Sequence, residues 1–205
     1  MILYVDTNYL SPYAMSAYIA LREKGLAFEL RRVDLGKSEQ SLPAFTAISA
    51  TQRVPLLADE EFYLSESSAI AEYIDERYTG PRLYPEDLRE RAKAREIQAW
   101  LRSDLLAIRE ERSTEVVFLQ RSPPPLSAKA QTAANKLFHA AGELLQPGQL
   151  HIFEDWCLAD TDLALMLNRL VLAGDPVPEH LAHYAQLQWQ RPSIHDWVSL
   201  PRHIT

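Results

Sequence analysis

Residues 8–14, Asn8-Tyr9-Leu10-Ser11-Pro12-Tyr13-Ala14, stand between a short apolar run, MILYV, and MSAYIALREKGL, whose apolar positions recur at helical spacing. Proline is favoured at the first residue of a helix, where its missing N–H would have had no partner anyway. Pro12 therefore predicts a helix start and leaves Ser11 as the cap. There the hydroxyl faces the positive end of the helix dipole and several free backbone N–H groups, a position that stabilises anions. Two readings stand on these residues alone: a plain helix cap, or the place where a reactive group is held.

Working outward, the first eighty residues alternate strand and helix signals. Residues 2–5 predict a strand, and positions 15, 18, 19 and 22 share one side of a helix that ends near Gly25. FELRRVDL (28–35) alternates as a second strand, and 38–48 is a short polar segment whose form, helical or not, the pattern leaves open. VPLLAD and EFYL, joined at Asp59-Glu60, read as a hairpin. Ser65 is the expected cap of a helix carrying Ala69, Ile70, Tyr73 and Ile74. The predicted order is βαβ, then α, then ββα. TGPRLYPED (79–87) has the proline and glycine content of a linker, after which the strand pattern disappears. One long helix is expected over 87–112, from the spacing of Ile97, Trp100, Leu101, Leu105 and Ile108, with others near 127–145, 160–173 and 178–189. RSPPPLS (121–127) predicts an exposed extended loop, because consecutive prolines fix φ and remove donors. The expected domains are residues 1–79, a linker over 80–87 and an all-helical domain over 88–205; the fold class is α/β plus all-α.

Composition limits the function. With 205 residues, 47% of them hydrophobic, the chain can bury a sizeable core. Its formal net charge of −7 argues against nucleic acid and against acidic membrane surfaces as partners. No run is long enough for a membrane span, and MILYVD lacks the features of a secretion signal, so a cytoplasmic protein is expected. A single cysteine, Cys157, excludes an internal disulfide framework and a multi-cysteine metal site. His180 and His183 lack a third ligand signal, so no metal is expected. The run EDLRERAKARE reads as a solvated helix face.

Two further signals accompany Ser11. RVPLL places Pro55 within an apparent strand, tolerated at an edge or in an unusual geometry such as a cis bond. LSESSAI puts Glu66, Ser67 and Ser68 at a second helix start, a second corner able to accept an anion. SPYAMSAYIALREKGL, RVPLL and LSESSAIAEYI, in that order, resemble the thioredoxin-fold half of a cytosolic-type glutathione transferase, and the helical second half extends the resemblance over nearly the whole chain. LSESSAIAEYI, IQAWLRSDL and CLADTDLALM are most similar to the YfcF-type bacterial members.

The resemblance implies a thioredoxin-like βαβαββα domain that binds glutathione as co-substrate, with Pro55 cis and Val54 presenting its backbone to the cysteinyl part. Glu66 and Ser67 match the pair that holds the γ-glutamyl amine and carboxylate, and Arg53 is a candidate for the glycyl carboxylate. Ser11, with Asn8 as a second donor, is the candidate for stabilising the thiolate. Cys-Pro-aromatic relatives use a thiol here, so Ser-Pro-Tyr argues against mixed-disulfide chemistry. In serine-using classes the serine often stands one residue further before the proline, so Ser11 is assigned by role rather than by spacing. Tyr13, Arg109 and Arg112 are the implied electrophile pocket, and a homodimer is implied as well. Cys157 occupies a place where the family usually has Ser or Thr as a cap facing Asp160, which predicts a weakened cap and a structural cysteine. An enzyme that conjugates an electrophile or reduces a peroxide, and a binding protein of the same fold without turnover, remain the two readings.

Overall fold

In the computed structural model, which describes residues 1–202, the chain opens with strand β1 (Ile2–Asp6), whose Leu3 and Val5 are wholly buried. Helix α1 (Pro12–Glu23) follows, then β2 (Glu29–Val33), a 3-10 turn (Glu39–Ser41), α2 (Pro43–Thr46), β3 (Leu56–Asp59), β4 (Phe62–Ser65) and α3 (Ser67–Arg77). The sheet order is β2-β1-β3-β4; β1 and β2 are parallel, and both other pairings are antiparallel. This is the mixed four-stranded sheet with helices of a thioredoxin-like unit. The edges are polar or short, as edge strands must be to avoid pairing with other chains: β2 exposes Arg31 and Arg32, and β4 is only four residues long.

The remaining elements are helical: α4 (Leu88–Ser103), α5 (Leu106–Glu111), α6 (Thr114–Leu119), α7 (Ala128–Leu144), α8 (Leu158–Val171), α9 (Glu179–Trp189) and α10 (Pro192–Val198). Residues 1–83 and 195–202 belong to one compact unit and residues 84–194 to a second. The last three positions of the expected 88–205 domain lie outside the described residues.

Three local expectations change. The helix expected over 87–112 is broken, because Asp104 turns its carboxylate onto the backbone N–H of Leu105 (2.7 Å) and the indole N–H of Trp100 (3.1 Å), and Leu105 adopts φ +59°. A side chain that bonds the neighbouring backbone competes with helix continuation. Ser65 is not the cap of α3: it is the last residue of β4, and Glu66 occupies the N-cap at φ +72°. Cys157 sits in a capping box with Asp160, whose carboxylate accepts the N–H groups of Cys157 (2.9 Å) and Ile152 (2.8 Å) and the hydroxyl of Tyr184 (2.7 Å). The acidic half of the box is therefore intact without a hydroxyl at 157. The short helices α6 and α10 have no counterpart in the periodicity reading.

A buried ion pair locks the first unit. Lys24, at the end of α1, meets Asp75 of α3 at 2.9 Å with side chains 2% and 10% exposed, and its ammonium also donates to the carbonyls of Asp75 and Tyr78. Removing one partner of such a pair strands the other charge away from water. Lys24→Ala is expected to cost about 3–5 kcal/mol in chemical denaturation. Arg31→Ala, which breaks only exposed contacts, with Glu29 and with the hydroxyl of Tyr4, is expected to cost less than about 1 kcal/mol.

Candidate functional site

The register brings the three signals of the sequence to one end of the sheet. Tyr4 of β1 stands opposite Leu56 of β3, and Leu56 stands opposite Ser65 of β4, so these three residues form one row. Immediately beyond that row lie Asp6 and the loop 7–11, Val54 and Pro55 before β3, and Glu66 and Ser67 after β4. The Val54–Pro55 bond is cis.

The loop after β1 is shaped by Asp6, a largely buried residue whose two carboxylate oxygens accept the backbone N–H groups of Leu10 (2.7 Å) and Ser11 (2.9 Å). Tyr9 takes φ +54° between them, its N–H donating to the carbonyl of Asp6. This chain path delivers Ser11 to the N-cap of α1 with extended backbone angles, φ −69° and ψ 117°. Its hydroxyl oxygen accepts the N–H of Ala14 at 3.2 Å, and its own proton has no acceptor among the described residues. The serine is half-buried, as is Asn8, whose amide makes no hydrogen bond among the described residues, while Tyr13 is exposed. The hydroxyl is thus both a cap and an uncommitted donor. Tyr4, by contrast, accepts from Arg31 and packs edge-on against Phe45, 5.9 Å between ring centroids, so it belongs to the packing.

At the second corner, Glu66 is exposed, makes no ion pair or hydrogen bond through its side chain among the described residues, and holds a positive φ that costs a non-glycine residue roughly 1–3 kcal/mol. Ser67, the first residue of α3, is 4% exposed, and its hydroxyl has no hydrogen-bond partner among the described residues. A carboxylate beside a helix start with free N–H groups offers complementary sites for an ammonium and a carboxylate of one ligand. The segment before Pro55 is tied to the same end of the sheet by Ser49: its hydroxyl lies 3.4 Å from that of Ser65 and accepts the N–H of Gln52. Val54 packs on the cluster of Val33, Phe45 and Leu56, and Arg53 beside it is exposed and makes no ion pair among the described residues.

The arginines expected at an electrophile pocket serve the helical unit instead. Arg112 is 1% exposed; its guanidinium meets both oxygens of Asp175 (2.6 and 2.8 Å), and its third nitrogen donates to the carbonyl of Glu111. Each of its three nitrogens makes a bond within the helical unit and the side chain is buried, so Arg112 is a lock within the helices. Arg109 donates to the carbonyls of Leu101 and Asp104 across the break between α4 and α5. Among the described residues no group of three or more His, Cys, Asp and Glu is placed to hold a metal ion, and no helix is long and apolar enough to cross a membrane.

Asp6 was missed by the sequence reading, although an Asp five residues before a capping Ser is a recognisable signal for a side chain that folds a loop back on itself.

With this geometry in view, comparison with known proteins is direct. Residues 7–82 match the model of the glutathione S-transferase N-terminal domain, and residues 87–203 that of the glutathione S-transferase C-terminal domain. The chain belongs to the glutathione S-transferase family. It is 34% identical over 128 residues to glutathione S-transferase theta-3 of Mus musculus, covering 60% of this chain and 52% of that protein. It is 30% identical over 167 residues to the mouse theta-1 protein, 79% of this chain and 65% of the other. The chain thus spans about half to two thirds of the length of these curated relatives. Among solved structures, a glutathione transferase homolog from Burkholderia with bound glutathione is 48% identical, with a TM-score of 0.80 over 96% of this chain and 95% of that one.

Burial, with the nearby charge of Asp160, pushes the Cys157 thiol far above its ordinary range. In the native protein Cys157 is expected to resist a thiol-labelling reagent and to react only at the rate of unfolding, as followed by the release of the reagent's chromophore. Fast stoichiometric labelling at neutral pH would contradict that placement.

Proposed function

We propose that this chain is a glutathione transferase in which Ser11 donates a hydrogen bond to the glutathione thiolate. The observation that carries the reading is the division of labour in the Ser11 hydroxyl: its oxygen caps α1, and its proton is left over. The glutathione-bound Burkholderia homolog, 48% identical, supports glutathione as the ligand. In this reading the γ-glutamyl ammonium meets Glu66, and the adjoining carboxylate meets Ser67 and the free N–H groups at the start of α3. The backbone of Val54 pairs with the cysteinyl residue, and Arg53 faces the glycyl carboxylate. Asn8 is a second donor at the sulfur. Tyr13, exposed one residue past Pro12, is the proposed contact for the second substrate, while Arg109 and Arg112 keep architectural roles.

The required effect is modest. A cysteine-like thiol titrates near ~8.5, and each unit of lowering corresponds to ~1.4 kcal/mol. One charge-assisted hydrogen bond, at roughly 1.5–3 kcal/mol, and a helix-terminus contribution of ~0.3–1 kcal/mol account for a shift of one to two units. Ser11 stays protonated throughout. The thiol proton leaves to water, the sulfur forms a bond to the electrophilic carbon and the leaving group departs with the electron pair. With a hydroperoxide the sulfur instead takes an oxygen as the O–O bond breaks, leaving an alcohol and a sulfenic acid that a second glutathione converts to the disulfide. A cytoplasmic location and a place among the YfcF-type bacterial enzymes belong to the same reading, the latter resting on the segments LSESSAIAEYI, IQAWLRSDL and CLADTDLALM.

Ser11→Ala is expected to raise the pKa of the bound thiol by about one to two units and to lower turnover roughly 10- to 100-fold while glutathione affinity stays within about threefold. Thiolate absorbance in the near ultraviolet during a pH titration reads the first quantity. Glu66→Ala is expected to weaken glutathione binding with little change in the thiol titration. Normal binding in that variant would overturn the ligand placement, and an unshifted thiol in Ser11→Ala would move the donor role away from the hydroxyl.

A homodimer completes the proposal. The helical unit carries a groove of about 390 Å³ between α4 and α7, with Ile97, Trp100 and Leu144 in its wall and Lys93, Lys136 and His139 around it. Glu96 and Glu143 also line it, so its charge is mixed and its match to the β3–β4 hairpin, which exposes Phe62 and Tyr63, is apolar. Phe62→Ala is expected to shift the sedimentation profile toward monomer, and an unchanged profile would exclude the hairpin from the interface.

A further inference from the structure

The loop that carries Ser11 is gripped from a second side by residues 197–202. Trp197 is fully buried, its ring edge-on to Tyr9 (5.6 Å, 83°) and tilted against Tyr18 (5.3 Å, 54°). Arg202 folds this segment around its own guanidinium: one terminal nitrogen donates to the carbonyls of Val198 (2.6 Å) and Leu200 (3.1 Å), and the other to that of Trp197 (3.0 Å). The same second nitrogen reaches the carbonyl of Tyr9 at 3.4 Å, two residues before Ser11. Among the described residues, the charge of Asp6 and the hydroxyl of Tyr9 act on the Arg202 guanidinium. Nearby, Arg22 of α1 meets Asp196 of α10 at 2.5 Å, an exposed tether that does not touch the loop.

We propose that Arg202 is a positioning residue for Ser11, holding the Tyr9 carbonyl and balancing the charge of Asp6 so that the Ser11 hydroxyl meets the glutathione sulfur in a field that favours the thiolate. The inference rests on the reading of Ser11 as the thiolate's donor. The loop needs Asp6, because no other side chain accepts the Leu10 and Ser11 N–H groups. A carboxylate held this close to the cap, however, opposes a second negative charge at the sulfur. A guanidinium drawn to the same loop offsets that opposition. It also fixes Tyr9 in its positive-φ conformation by occupying the carbonyl.

The test uses the full chain with glutathione and reads the near-ultraviolet thiolate titration together with glutathione affinity. Arg202→Met, which keeps most of the apolar stem and removes charge and donors, is expected to raise the pKa of the bound thiol by about one unit and leave affinity within about threefold. Arg202→Lys restores the charge and is expected to recover most of that shift. Arg22→Ala loosens α10 without touching the loop and is expected to titrate like the parent. Should Arg202→Met fail to fold, Arg202→Gln carries the same readout. An unshifted thiol in the Arg202 variant, with Ser11→Ala still shifting it, overturns the positioning role and leaves the Ser11 reading standing. No shift in Ser11→Ala brings down both, whatever Arg202→Met does. An equal shift in Arg22→Ala, or no recovery in Arg202→Lys, overturns the proposal by reducing Arg202 to general support of the segment.

Discussion

One carboxylate organises the functional end of the first unit. Asp6 closes β1 and at once accepts two N–H groups from the loop it starts, so strand, loop and helix become a single rigid turn. Without it, Leu10 and Ser11 would present unsatisfied donors in a partly buried site, and the chain would have no reason to enter α1 at Ser11 rather than elsewhere. The serine's value follows from this: its oxygen accepts the Ala14 N–H as the cap, and its proton has no acceptor among the described residues.

The rest of the sheet supplies the second and third contacts by register alone. Because β1, β3 and β4 are aligned through Tyr4, Leu56 and Ser65, anything just past those residues arrives at one edge. The residues there are of the kinds that bind rather than pack: an exposed glutamate in a positive-φ conformation, a largely buried serine and an exposed arginine, none with a side-chain partner among the described residues. In the helical unit the polar residues behave in the opposite way. Arg112 and Asp175, Asp160 and Tyr184, Arg102 and Asp162 satisfy one another, which is what a framework requires.

Much of this was legible in the sequence, for physical reasons that can be named. Alternation and helical spacing gave the four strands and the long helices. Pro12 placed the start of α1 at the right residue, because proline has few acceptable positions in a helix. The Ser-Pro, Val-Pro and Glu-Ser signals could be ordered along the chain, and the structure adds their common row. What periodicity hides is side-chain competition for backbone groups. Asp104 ends a helix whose apolar pattern continues unbroken to Ile108, and Glu66 rather than Ser65 takes the cap because the ladder holds Ser65 in β4. Contacts distant in sequence were invisible for a plainer reason: nothing near Arg202 or Arg112 announces Tyr9 or Asp175.

The chain's one sulfhydryl is sealed at the start of α8, and a serine stands at the cap of α1. The polypeptide therefore brings no thiol of its own to the candidate site. Oxidants that would silence a thiol enzyme by converting its cysteine to higher acids find no exposed thiol here. In the proposed reaction, any sulfur that is spent arrives with glutathione and leaves with it, so damage departs with the small molecule instead of accumulating in the protein.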